Sequence, residues 1–244
     1  MFPNINRLWR NIKGRQDSSK WSYQEFRERF SDNLRACQWE PHPFYSVFTQ
    51  FDREYYLQRK DEFLHKYRCF YAVSKTISPK RIIELGVCAG SGADAYLSAS
   101  PQAEYTGIDT FGEPFSPDDD SPWKVLRKDK HSLWKPIDIA RRLFEDRGFQ
   151  HYELITANLR HLHRLPHAAD LVVVDAAHDF DNEYADLQLA LSAEPTFIFV
   201  DDSEDESQAK RAIEKFLNED LRDRVDYTLA VDYIGGGLLI KLKK

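Results

Sequence analysis

The chain reads as α/β, a doubly wound and mostly parallel sheet preceded by a helical N-terminal extension. Three observations lead there. Short apolar runs alternate with segments whose apolar residues recur at helical spacing, the pattern of a parallel sheet covered by helices. One run, Ile82-Ile83-Glu84-Leu85, is followed by glycines at 86, 90 and 92 and then by helix-forming residues. Several runs end in acids, at Asp109, Asp175 and the pair Asp201-Asp202. Pro79 opens the main domain, so residues 1–78 form the extension and residues 79–244 the sheet domain.

In the extension, residues 1–20 are polar and basic without a period, and are expected to fray. Ser22-x-x-Glu25 is a capping box, opening a helix with Tyr23, Phe26, Phe30 and Leu34 on one face. Trp39-Glu-Pro-His-Pro43 breaks that helix. A longer helical pattern follows, with Tyr56, Phe63, Tyr67, Phe70 and Tyr71 as its stripe. These aromatics suit a packed appendage or the wall of a substrate pocket. If exposed, they would also suit a homodimer.

The main domain begins with the run through Leu85, a strand buried on both faces. Strand, glycine loop and helix start make a nucleotide cradle, in which amide N–H groups and a helix N-terminus face a bound ligand. The spacing is G-x-x-x-G-x-G over Gly86, Gly90 and Gly92, not the G-x-G-x-x-G of dinucleotide folds. Tyr105–Asp109 is the second strand, and an acid at its end can accept hydrogen bonds from both ribose hydroxyls. The irregular stretch 112–135, with Asp118 to Asp120, Trp123 and Trp134, is a solvated loop or a lid over the site. Pro136 suits a helix first turn, Ile137, Ala140, Leu143 and Phe144 its buried face, and Gly148 its cap. Tyr152–Thr156 is the third strand, and Asn158 beyond it is either a contact to an adenine edge or a turn residue. Leu171–Asp175 is the fourth strand, followed by His178 and an amphipathic helix marked by Phe180, Tyr184, Leu187 and Leu191. Phe197–Val200 is the fifth, ending in Asp201-Asp202.

Ligands of open parallel sheets bind beyond the carboxyl ends of the central strands. The first, fourth and fifth strands would bring Glu84, the glycine loop, Asp175, His178, Asp201 and Asp202 to one rim. Three carboxylates there repel one another unless a cation offsets them, and oxygen ligands favour Mg²⁺, Mn²⁺ or Ca²⁺. Helix capping is the competing account: Asp179 or Asp181 can start one helix, and Ser203-x-x-Glu206 can cap the next. His178, beside Asp175 and the cleft, is either a surface histidine or a base able to take a proton from a hydroxyl near pH 7.

Bulk composition narrows the function classes. A hydrophobic share of 42% with 30% charged residues is ordinary for a soluble globular protein. A net charge of −6 argues against general nucleic-acid binding, which needs a basic surface. No apolar run approaches the about 20 residues of a membrane helix. The N-terminal segment lacks the apolar core of a signal peptide, and Cys37, Cys69 and Cys88 form no C-x-x-C pair. A cytoplasmic protein with reduced thiols is the expectation.

The segments I-E-L-G-V-C-A-G-S-G, Y-T-G-I-D, D-L-V-V-V-D-A-A-H and F-V-D-D together resemble the class I S-adenosylmethionine-dependent methyltransferases. Within them, the stretch from Pro79 onward looks most like small-molecule O-methyltransferases with D-G-x-H at the fourth strand, relatives of macrocin O-methyltransferases and cephalosporin-hydroxylase-like proteins. The resemblance implies a Rossmann-like, seven-stranded sheet with its last strand antiparallel; Tyr227–Val231 and Leu238–Leu242, joined by a turn at Gly235–Gly237, match its final strands. It implies S-adenosylmethionine as cofactor, held by Glu84, Gly86, Gly90, Gly92, Asp109, Asn158 and Asp175. It implies Mg²⁺ held by Asp175, Asp201 and Asp202, His178 as base, and a small-molecule or sugar hydroxyl as acceptor. Ala176 stands where glycine is usual, Phe180 where an aromatic hydroxyl is common, and the acid pair is Asp-Asp. A metal-independent methyltransferase, a nicotinamide enzyme on the same sheet and a non-catalytic cofactor-binding module are the alternatives.

Overall fold

A computed structural model of the chain describes residues 21–46, 53–111, 135–203 and 208–243, with side chains from residue 56 in the second segment. The strands are β1 (Arg81–Leu85), β2 (Glu104–Asp109), β3 (Tyr152–Thr156), β4 (Leu171–Val174), β5 (Phe197–Val200), β6 (Val225–Val231) and β7 (Gly237–Leu242). They form one seven-stranded sheet in the order β3-β2-β1-β4-β5-β7-β6. Strands β1 to β5 pair in parallel, and β7 runs antiparallel to both β5 and β6. The Leu-Val-Val-Val of β4 and Phe-Ile-Phe-Val of β5 are buried throughout, as central strands covered on both faces must be. Edge strand β6 alternates between buried and more exposed residues.

The helices are α1 (Tyr23–Arg35), α2 (Arg53–Gln58), α3 (Lys60–Ile77), α4 (Ser91–Ala99), α5 (Pro136–Arg147), α6 (Phe180–Leu191) and α7 (Gln208–Glu219). The capping box forms at α1: Ser22 N–H donates to Glu25 at 2.8 Å, and Glu25 N–H to Ser22 Oγ at 3.3 Å. The aromatic stripe read as one helix is split before Lys60, which leaves Tyr56 on α2 with its ring 4.7 Å from that of Phe63 on α3. Gly148 caps α5 in the left-handed region, and Asp179 caps α6 by accepting the Asn182 N–H. Residues 1–20, the stretch 112–134 with Trp123 and Trp134, and Glu206 of the expected second capping box lie outside the described residues.

Successive residues of a strand face opposite sides. In β1, Ile82 joins one core with Phe26, Phe70, Tyr96, Phe144 and Phe199, while Ile83 joins the other with Val172, Leu187, Ile198 and Phe216. The first core is aromatic. The Phe70 ring stacks 5.1 Å from Tyr96 and meets Phe199 and Tyr233 edge-on at 5.4 and 5.6 Å. The extension therefore shares its core with the sheet, and α3 lies directly over the central strands. No helix among the described residues is long and apolar enough to cross a membrane.

Candidate active site

The ends of β1, β2, β4 and β5 meet at one rim, where backbone demands explain the glycines. Gly86 has φ +88°, and a Cβ there would overlap the carbonyl oxygen of Asp175. Only glycine lets the end of β1 close against the end of β4. Gly90 is the left-handed N-cap of α4. Gly92, one residue into α4, leaves room for Glu84: a Cβ would stand 2.8 Å from its Oε1. Cys88, Phe111 and Asp202 also have positive φ, at 56°, 49° and 48°. Each such residue costs about 1–2 kcal/mol, so three at one rim indicate a shape imposed by the surrounding fold.

Asp109 fastens this loop. Its Oδ2 accepts the N–H groups of Val87 and Cys88, each at 2.8 Å, and its Oδ1 accepts that of Phe111 at 2.7 Å. The Thr110 hydroxyl adds a longer bond to Oδ1 at 3.4 Å, so all of the about four lone-pair positions of this carboxylate are engaged by its own loop. Glu84 is buried and accepts a hydrogen bond from the Tyr105 hydroxyl. Burial pushes its carboxyl up to about 8 against the opposing effect of that bond, and Asp109 and Asp201 add to the rise. Asn158 caps the short turn Leu159–His161, accepting Arg160 N–H at 2.8 Å.

Asp175, Asp201 and Asp202 reach the same rim with a cation among them. Lys66, on α3, forms an ion pair with Asp201 and lies 3.7 Å from Asp202 Oδ1. Its ammonium also stands 5.6 Å from the Phe70 ring and 5.8 Å from that of Tyr233. Burial works against that charge, but Asp201, Asp175 and Asp202 outweigh it and hold Lys66 protonated well above the ordinary range. The buried Asp201 also accepts the Tyr233 hydroxyl at 2.7 Å. Burial and then Asp201 push Asp175 well above the usual carboxylate range, with Lys66 opposing. On α6, the buried Glu183 is pushed up to about 8 by burial, Asp201 and Asp202. His178, about half exposed, has Nε2 3.7 Å from Asp202 Oδ2.

No protein-family profile matches the sequence, and no curated protein matches it either. Solved structures match by shape. The SAH-bound methyltransferase PaMTH1 of Podospora anserina is 19% identical at a TM-score of 0.54, over 94% of this chain and all of that one. The O-methyltransferase TomG of Streptomyces achromogenes, solved with SAM, is 14% identical at 0.52, over 90% of this chain and 99% of that one. A methyltransferase of Geobacter sulfurreducens is 16% identical at 0.50, over 88% and 98%. This is the class I methyltransferase fold.

On the methyltransferase fold, Glu84, the glycine loop, Asp109, Asp175, His178, Asp201 and Asp202 all stand at the carboxyl ends of the strands or just beyond them. Of the trio that the resemblance implies as metal ligands, Asp201 already has both oxygens engaged, one accepting from the Tyr233 hydroxyl and the other paired with Lys66. The group with suitable spacing is Asp175, His178 and Asp202, whose ligand atoms lie within 4.8 Å of one another. Sequence reasoning missed Lys66 and Tyr233. The signal for Lys66 was its place on the aromatic stripe, between Phe63 and Phe70 at helical spacing, where a solvated lysine does not belong. Nothing in the sequence marked Tyr233, which meets Asp201 only because β7 lies beside β5.

Proposed function

We propose that the chain is an S-adenosylmethionine-dependent methyltransferase acting on a hydroxyl oxygen of a small molecule, such as a sugar. The juxtaposition that carries this reading is the Gly86–Glu84–Asp109 cradle beside the Asp175–His178–Asp202 group on one rim. The sulfonium methyl is already electrophilic, so the chain need only align nucleophile, carbon and sulfur and remove a proton. Glu84 and the loop through Gly86, Gly90 and Gly92 hold the methionine part, Asp109 the ribose in place of its longer bond from Thr110, and Asn158 the adenine edge. His178 takes the hydroxyl proton as the methyl–sulfur bond breaks, and Asp202 stabilises the imidazolium that forms. Lys66 offsets one of the two charges of Asp201 and Asp202, and on this reading the reaction runs without a metal.

The spacing of Asp175, His178 and Asp202 supports a second reading, in which these residues hold a divalent ion and His178 is a ligand instead of the base. When bound, such an ion would chelate a vicinal diol and lower the pKa of its hydroxyl.

Titration with S-adenosylhomocysteine, followed by turnover against a panel of hydroxyl acceptors with and without EDTA, separates these readings. Saturable binding and EDTA-resistant turnover are expected. His178→Asn is expected to lower kcat by about 10²–10⁴ with cofactor affinity unchanged. Absence of cofactor binding would overturn the methyl-transfer reading; turnover lost in EDTA and restored by Mg²⁺ would favour the metal.

A further inference from the structure

Asp175, Asp201, Asp202 and Glu183 crowd one end of the sheet, and Glu183 Oε1 is buried there without a hydrogen-bond partner. Such a set stays folded only if a cation or a proton offsets it. The chain supplies a cation from a distant element. Lys66 reaches from α3 past the rings of Phe70 and Tyr233, its side chain 12% exposed, to pair with Asp201 and stand 3.7 Å from Asp202. An ammonium is a compact point charge with three donors, able to serve several carboxylate oxygens at once. A divalent ion on Asp202 would lie within a few ångströms of it, and the two positive charges would repel strongly in so buried a place.

We propose that Lys66 is the built-in cation of this pocket, standing where a divalent ion would otherwise sit, and that removing it unmasks a divalent-cation site at Asp175, His178 and Asp202. The occupant is then part of the polypeptide and independent of metal supply. Lys66 plays this part whether or not the pocket transfers methyl groups.

The probe is Mn²⁺, titrated into the full-length wild-type protein, Lys66→Met and the double variant Lys66→Met/Asp201→Asn, with binding followed by calorimetry and by the electron paramagnetic resonance of the free ion. Removing Lys66 alone strands the buried Asp201 charge. The double variant removes both partners and keeps the three proposed ligands, so it decides the matter if the single variant does not fold. Mn²⁺ is expected to bind the variants at least about tenfold more tightly than the wild type. It should also raise the melting temperature of the variants more than that of the wild type, and Asp202→Asn added to the double variant should abolish the gain. Equal affinity in wild type and variants, or no binding to either, would overturn the proposal. S-adenosylhomocysteine titrated into the same proteins keeps the two questions apart: its failure to bind would sink methyl transfer and leave the Mn²⁺ comparison standing.

Discussion

Glu84 gives the cradle a pH dependence whose direction follows from its surroundings. Its carboxyl is pushed from 4.5 up to about 8, chiefly by burial. Between those values the unfolded chain has lost the proton and the folded chain keeps it. Stability from this group is therefore complete below about pH 4.5 and is lost as pH rises towards 8. The effect is on the order of 5 kcal/mol if burial acts in full. A second carboxyl behaves alike: Glu183, on α6, is also pushed up to about 8 and loses its contribution over the same range. Glu84→Gln keeps the shape and cannot ionise, so its denaturant midpoint should fall less than the wild type's between pH 5 and 8. Parallel curves would show that Glu84 is ionised throughout.

At the scale of the element, α1 depends on its cap because it is amphipathic and short. Ser22 and Glu25 satisfy amide groups that the first turn leaves open, and Phe26 and Phe30 anchor the helix to the sheet. Ser22→Ala should cost about 1 kcal/mol by urea denaturation, with the m-value unchanged. A loss well above that would mean that Ser22 acts beyond its own helix. The glycine loop behaves differently. Its shape is dictated by neighbours, since Gly86 yields to the Asp175 carbonyl and Gly92 to Glu84, while Asp109 ties three amides together.

Over the whole molecule, α1 and α3 are one layer of the fold. Phe26, Phe70 and Tyr67 lie in the same aromatic core as Tyr105, Phe199 and Leu239. A chain beginning at Pro79 would bare that face of the sheet and remove Lys66 from the acids. It should be recovered as aggregate or as a species without cooperative melting, read by circular dichroism and light scattering. A monomeric, cooperatively folding product would show that residues 1–78 are a separable appendage.

Much of this was legible in the residues themselves. The order of strands and helices followed from apolar periodicity, the turn positions from Gly86, Gly90, Gly148 and Gly235, and the crowding of acids from Asp175, Asp201 and Asp202 falling at strand ends. These are local properties: spacing along the chain reports which side of an element is buried and where a backbone must turn. Which partner a side chain then meets is not local. The crossing of α3 over the sheet set Lys66 against Asp201, the pairing of β7 with β5 brought Tyr233 to the same carboxylate, and the closing of the loop turned Asp109 onto backbone amides. Charge balance in the pocket was therefore decided by tertiary structure, because it depends on groups far apart in sequence that only the packed sheet brings within a few ångströms.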